Sequence, residues 1–182
     1  TINDNSIHDN TATYGGGIYA DVDNRSELHI TGNDVMTNTS SDDHAGIYAD
    51  IYLSGTLTLT DNDIVANTAG DYYGGLYGYA DAFCHFQIED NLVMGNTAAQ
   101  DYGGLYVATR NGANGTFDRN RLIGNQAQGW GAGLLRFDQR STTTFNDNLF
   151  RGNVATVSDY GGPDLNVDDH SRLTGHNLTI EA

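Results

Sequence analysis

One asparagine recurs along the chain at Asn5, Asn33, Asn62, Asn91, Asn120, Asn148 and Asn177, at intervals of 28 or 29 residues. A second follows the first six by five residues, at Asn10, Asn38, Asn67, Asn96, Asn125 and Asn153. A period of this size, kept from one end to the other, leaves few folds open. One unit of about 29 residues cannot bury an apolar face by itself, so the units must stack and share a core.

Other positions keep the same phase. Two residues after the first Asn stands Ile7, Val35, Ile64, Val93, Leu122 or Phe150, and two after the second stands a small residue, such as Ala69, Ala98 or Ala127. An aromatic residue or His follows, at Tyr14, His44, Tyr73, Tyr102, Trp130 and Tyr160. A glycine-rich step then leads to a second regular column, Tyr19, Tyr48, Tyr77 and Tyr106. Upstream of the first Asn, apolar residues alternate with polar ones, as in Thr56-Leu57-Thr58-Leu59-Thr60. Alternation with a period of two marks a half-buried strand, and no segment sustains the 3.6-residue period of a helix.

These patterns predict an all-β, right-handed parallel β-helix over residues 1–182, a single domain of about six coils of 28–29 residues. Three short strands per coil are expected, near 18–22, 28–31 and 35–37 in the first full repeat. With about 4.8 Å between paired strands, six coils make a rod roughly 30 Å long. Equivalent side chains then stand above one another, so the asparagines become hydrogen-bonded ladders and the aromatic residues a stack. Parity does not carry across the glycine-rich bend. Outward, Tyr19, Tyr48, Tyr77 and Tyr106 would offer phenols to a sugar or a partner; inward, they would be core.

Charge narrows the partners. The chain carries a formal charge of −16, its eight basic residues are all Arg, and its 24 acids are nearly all Asp. That balance argues against nucleic acid and anionic membrane as partners. No apolar stretch is long enough to span a membrane, so this segment is not expected to insert into one. Residues 1–109 hold 16 acids and one base, Arg25, whereas residues 110–182 hold eight acids and seven Arg. A rod built from this chain is strongly acidic toward one end. Cys84 is the one cysteine, which rules out an internal disulfide.

Phe117-Asp118-Arg119-Asn120 and Phe145-Asn146-Asp147-Asn148 match an FxxN signature, and Gly75-Leu76 and Gly104-Leu105 match a GG(A/L/I) signature. On these motifs the chain resembles β-helix surface proteins, notably the polymorphic outer-membrane proteins and secreted bacterial β-helix repeat proteins. The resemblance implies an exported, surface-exposed stalk or passenger, often adhesive. The leading expectation is a non-enzymatic extracellular or cell-surface module, structural or adhesin-like, with a carbohydrate or host-cell-surface ligand as candidate partner, and a carbohydrate-binding or polysaccharide-degrading β-helix is an alternative. Because the repeat is still running at both termini, the domain is expected to belong to a longer chain or assembly, and end-to-end self-association into a filament is an alternative role.

Catalytic motifs are weak. A polysaccharide lyase or hydrolase on this fold would cluster carboxylates across adjacent coils. Asp42-Asp43 and Asp168-Asp169 lie more than four coils apart, and Gly175-His176-Asn177 only half matches a Gly-His-Gly element. Asp61, Asp90, Arg119 and Asp147 share the position before the first Asn, where Arg119 would stand between two carboxylates. Asp61 beside Asp90 lacks a base in that column, and calcium is the cofactor such a pair would call for.

Overall fold

The computed structural model describes residues 1–157 and 160–181. Among them every strand pairs in parallel with its equivalent one coil away, and there is no helix. The chain is a β-solenoid of about six turns, as the period predicts.

Each coil contributes to four sheets rather than three. In the coil that begins the regular pattern these strands are Ile18–Val22, Glu27–Thr31, Asp34–Met36 and Thr39–Ser40. The first belongs to what we call the tyrosine sheet and the second to the threonine sheet; the third and fourth belong to a three-residue and a two-residue sheet. The two-residue strands, such as Thr68–Ala69, are the ones the alternation test misses, because two residues cannot show a period.

The core lies in the lumen. Ile30, Leu59, Ile88, Phe117 and Phe145 stack along the threonine sheet, and Val35, Ile64, Val93, Leu122 and Phe150 along the three-residue sheet. Each such side chain is at most a few per cent exposed and contributes about 1.5–3 kcal/mol by burial. A separate cluster of Ala45, Ala69, Ala98 and Ala127 fills the narrow corner beside the two-residue sheet. The glycine step follows it because coils approach most closely there. A Cβ on Gly75 would stand 2.2 Å from the carbonyl oxygen of Gly104.

Both asparagine columns form continuous internal ladders. From the second rung on, each Asn Oδ1 accepts two bonds from the preceding coil: Asn120 Oδ1 takes the Asn91 backbone N–H at 3.2 Å and its Nδ2 at 3.0 Å. The same Nδ2 group donates back to the Leu59 carbonyl at 2.8 Å. Asn10, Asn38, Asn67, Asn96, Asn125 and Asn153 repeat the pattern. From Asn5 to Asn120 each Nδ2 donates to the Oδ1 of the following coil, so the bonds between rungs all run one way, and the last rung, Asn148, donates back to the Phe117 carbonyl.

Asn177 departs from its expected place. The last coil takes eight residues from Ala155 to Pro163 where the one before takes six from Ala127 to Gly133. Asn146 therefore pairs with His176 and Leu149 with Thr179, which sets Leu178, 40% exposed, over the Asn148 rung. Asn177 stands instead over Asp147, to whose Oδ1 it donates at 2.7 Å.

Candidate functional site

The tyrosine sheet turns one row of side chains into the lumen and the other outward. Ile47, Ala49 and Ile51 point in, so Tyr48 points out with Asp50 between it and Tyr52. The column Tyr19, Tyr48, Tyr77 and Tyr106 thus faces outward. Its rings stack nearly parallel, with centroids 4.3, 4.7 and 5.3 Å apart. Within the stack the ring faces are spent on one another, so the interior of the column is no platform for a sugar ring.

A second stack runs beside it, through His44, Tyr73, Tyr102, Trp130 and Tyr160, at centroid separations of 4.7 to 5.7 Å. The two meet edge to face, His44 on Tyr48 at 4.5 Å and Tyr73 on Tyr77 at 5.0 Å. Tyr14, expected in this stack, lies outside it. The backbone register sets Gly15, not Tyr14, against His44, and both adopt the left-handed conformation that the column position requires. Tyr14 is 57% exposed and bonds to Asp42. His44 Nδ1 is buried with no hydrogen-bond partner, and burial lowers its pKa to about 4.

Asp50 is the group that sequence reading missed. It is 3% exposed, and its Oδ2 accepts the hydroxyls of Tyr48 at 2.8 Å and Tyr52 at 2.9 Å. Its Oδ1 is buried without a partner. Burial raises the Asp50 carboxyl above the usual range, the two phenols oppose the rise, and Asp21 one coil below adds to it. Tyr79 bonds to Asp81 in the same way at 2.9 Å, while Asp138, 5% exposed, is paired with Arg136 at 2.6 Å. The signal available in the sequence was the local spacing Tyr48-x-Asp50-x-Tyr52, which no neighbouring coil repeats.

Asp61 and Asp90 do not act together. Asp90 is gripped by Arg119 through two bonds of 2.8 and 2.7 Å, and the same guanidinium reaches Glu89 at 2.7 Å. Asp61 is exposed and forms no ion pair among the described residues. Arg119 faces Asp90 and Glu89 only; Asp147 is engaged by Asn177 instead. Carboxylates converge elsewhere, at Asp42, Asp43 and Asp71, whose oxygens lie within 4.8 Å of one another. Each already has a donor, from the Tyr14 hydroxyl, the Tyr72 backbone N–H and the Gln100 amide respectively. Asp42-Asp43 and Asp168-Asp169 stay in separate turns, on different corners of the solenoid.

A shallow groove lies along the turns that join the tyrosine and threonine sheets. Each turn has two consecutive residues at positive φ, among them Leu53-Ser54, Ala82-Phe83, Asn111-Gly112 and Gln139-Arg140. This conformation suits Asn-Gly, as at Asn111-Gly112, and is costly for a bulky residue such as Phe83. Phe83 is nevertheless 72% exposed, and its ring lies on Gly112, where a Cβ would stand 2.9 Å from Cδ1 and Cε1. From the ring the groove runs along Asn111, Gln139, Arg140, Asp169 and His170 in one direction and along Ser54, Leu53, Arg25 and Asn24 in the other.

Residues 1–170 match the family described as right handed beta helix region. No curated protein and no solved structure matches the chain.

Proposed function

From the premise that the chain belongs to the right-handed β-helix family, we propose that it works without chemistry, as a structural, adhesin-like surface module with a carbohydrate ligand seated in the Phe83 groove. The observation that carries the reading is the exposed ring of Phe83 in the turn groove. A strained, solvent-facing aromatic at a turn is costly to keep, and such outliers gather where ligands bind. An exposed ring in a groove that also carries the Asn111 and Gln139 amides and the Arg140 guanidinium fits a saccharide, whose C–H face packs on the ring while its hydroxyls meet the polar groups along the groove.

The absence of a reaction is part of the proposal. Hydrolysis of a glycosidic bond by the usual route needs two carboxyl groups facing each other across the sugar, and the groove is bordered by one, Asp169. A rigid solenoid serves a binding role well, because it holds the turn residues on a scaffold that does not deform.

The test is a screen of neutral and acidic oligosaccharides, followed by titration of the best binder against Phe83→Ala. Loss of about tenfold or more in affinity is expected, equivalent to ~1.4 kcal/mol. A chain that binds no saccharide, or whose variant binds as well as the parent, overturns the proposal. Release of reducing or unsaturated sugars during the screen would overturn its non-enzymatic part.

A further inference from the structure

The two aromatic stacks hold nine rings in continuous contact, from Tyr19 to Tyr160, with no step between stacked neighbours longer than 5.7 Å. Edge-to-face contacts join the stacks at every level between His44 and Tyr106. Packing alone explains why such rings gather. It does not explain Asp50, a carboxylate removed from water at the outer face of the sheet with one oxygen unpartnered. A buried, half-satisfied carboxylate is destabilising, and a neutral residue of similar size would avoid that cost.

We propose that Tyr48 is a redox-active tyrosine that yields one electron to an external one-electron oxidant while its phenolic proton passes to Asp50.

The geometry meets the requirements of that step. Oxidation of a phenol makes its O–H strongly acidic, so the proton needs an acceptor already in place. Tyr48 Oη–H points at Asp50 Oδ2 across 2.8 Å. The electron leaves the Tyr48 ring for the oxidant, the phenolic O–H bond breaks, and a new O–H bond forms on Asp50. The products are a neutral phenoxyl and a neutral carboxylic acid, so no net charge is created in the buried site. An electron from an external reductant and return of the proton restore both groups. Burial, which favours the protonated form of Asp50, favours the transfer as well.

The stacks make Tyr48 accessible to an oxidant that never touches it. An electron vacancy created at Trp130 can pass to Tyr102, Tyr106, Tyr77 and Tyr48 through contacts of 5.4, 5.1, 5.3 and 4.7 Å. It settles where the proton has somewhere to go. Among the described contacts of Tyr19, Tyr48, Tyr73, Tyr77, Tyr102 and Tyr106, the one hydroxyl bonded to a carboxylate is that of Tyr48. Tyr52 shares Asp50 but stands outside both stacks, touching Tyr79 at a tilt of 52°. It therefore serves as an internal control.

The experiment is flash oxidation of the whole chain with a photoexcited ruthenium polypyridyl complex and a sacrificial electron acceptor, read by phenoxyl absorbance and electron paramagnetic resonance. A long-lived tyrosyl signal is expected, formed more slowly in D2O than in H2O. Tyr48→Phe keeps the ring in the stack and removes only the O–H, and should cut the radical yield about tenfold, the effect of roughly one pKa unit in driving force. Asp50→Asn should do the same, and Tyr52→Phe should leave the yield within about twofold on the same scale. Equal yields from the parent and Tyr48→Phe overturn the proposal, as does a formation rate without a solvent isotope effect in the parent chain. The isotope measurement needs no variant, so a fold defect in Asp50→Asn leaves the test intact. Neither result depends on the carbohydrate reading.

Discussion

Asn91 shows why an asparagine, rather than any other polar residue, occupies the ladder. Its Nδ2 serves the Leu59 and Glu89 carbonyls and Asn120 Oδ1, and its Oδ1 receives both donors of Asn62. An aspartate there would aim a second oxygen at three acceptors. Asn91→Asp is expected to cost about 3–5 kcal/mol at neutral pH in a denaturant titration, with the deficit shrinking in acid as the new carboxyl takes up a proton. His44 offers a test of the opposite sign. Its folded-state pKa of about 4 lies below the ordinary value of 6.5, so the unfolded chain binds the extra proton first. Its contribution to stability is complete above pH 6.5 and falls away as pH drops toward 4. Replacing it with the tyrosine found one coil on, His44→Tyr, should flatten that part of the pH–melting profile relative to the parent; parallel profiles would refute the assignment. The residue-scale pattern was legible wherever an identity recurs, as at Asn62 and Asn67. It misled at Tyr14 and Asn177, where a one- or two-residue change in turn length moves the register without changing the residue type.

At the scale of elements, the sequence announced three strands of each coil and concealed the fourth, which is too short to alternate. Thr56–Thr60 reads as a strand by its own pattern, whereas Thr68–Ala69 is held in a sheet only by Thr39–Ser40 and Thr97–Ala98 on either side. Its stability is borrowed from stacking, which no single repeat records. The turn groove was hidden for a related reason. Its backbone conformation repeats from coil to coil, but its residues run from Asn24-Arg25 to Asp169-His170 with no identity common to all. Phe83 left one trace, an aromatic falling in a turn phase. The last rung makes an element-scale prediction. Leu178 sits where an asparagine would accept the Asn148 backbone N–H, so Leu178→Asn should extend the ladder and raise stability by about 0.5–1.5 kcal/mol. A lowered melting temperature would mean that the inserted residues before Pro163 have moved the coil out of ladder geometry.

The whole molecule behaves as a one-dimensional stack in which each coil answers mainly to its neighbours. Successive coils are about 4.8 Å apart, well inside the ~10 Å screening length at 0.1 M salt. Like charges on adjacent coils therefore repel at ordinary ionic strength, and those several coils apart do not. Residues 1–109 carry nearly all of the net charge. Raising salt from low to high should increase the melting temperature, and hydrogen exchange should place most of the gained protection in the coils before Arg110. A uniform gain along the chain would contradict the nearest-neighbour picture.

The orientation of the amide rungs adds something that charge counting does not. In both ladders the bonds between side-chain amides run one way, each nitrogen donating to the oxygen of the following coil. Sheets ordinarily have little net dipole, but aligned side-chain amides add along the axis. Their negative end coincides with the acidic end of the chain, so the two separations of charge reinforce each other. The solenoid is thus a permanent electric dipole lying along its own long axis, and in a pulsed field it should turn lengthwise and become birefringent.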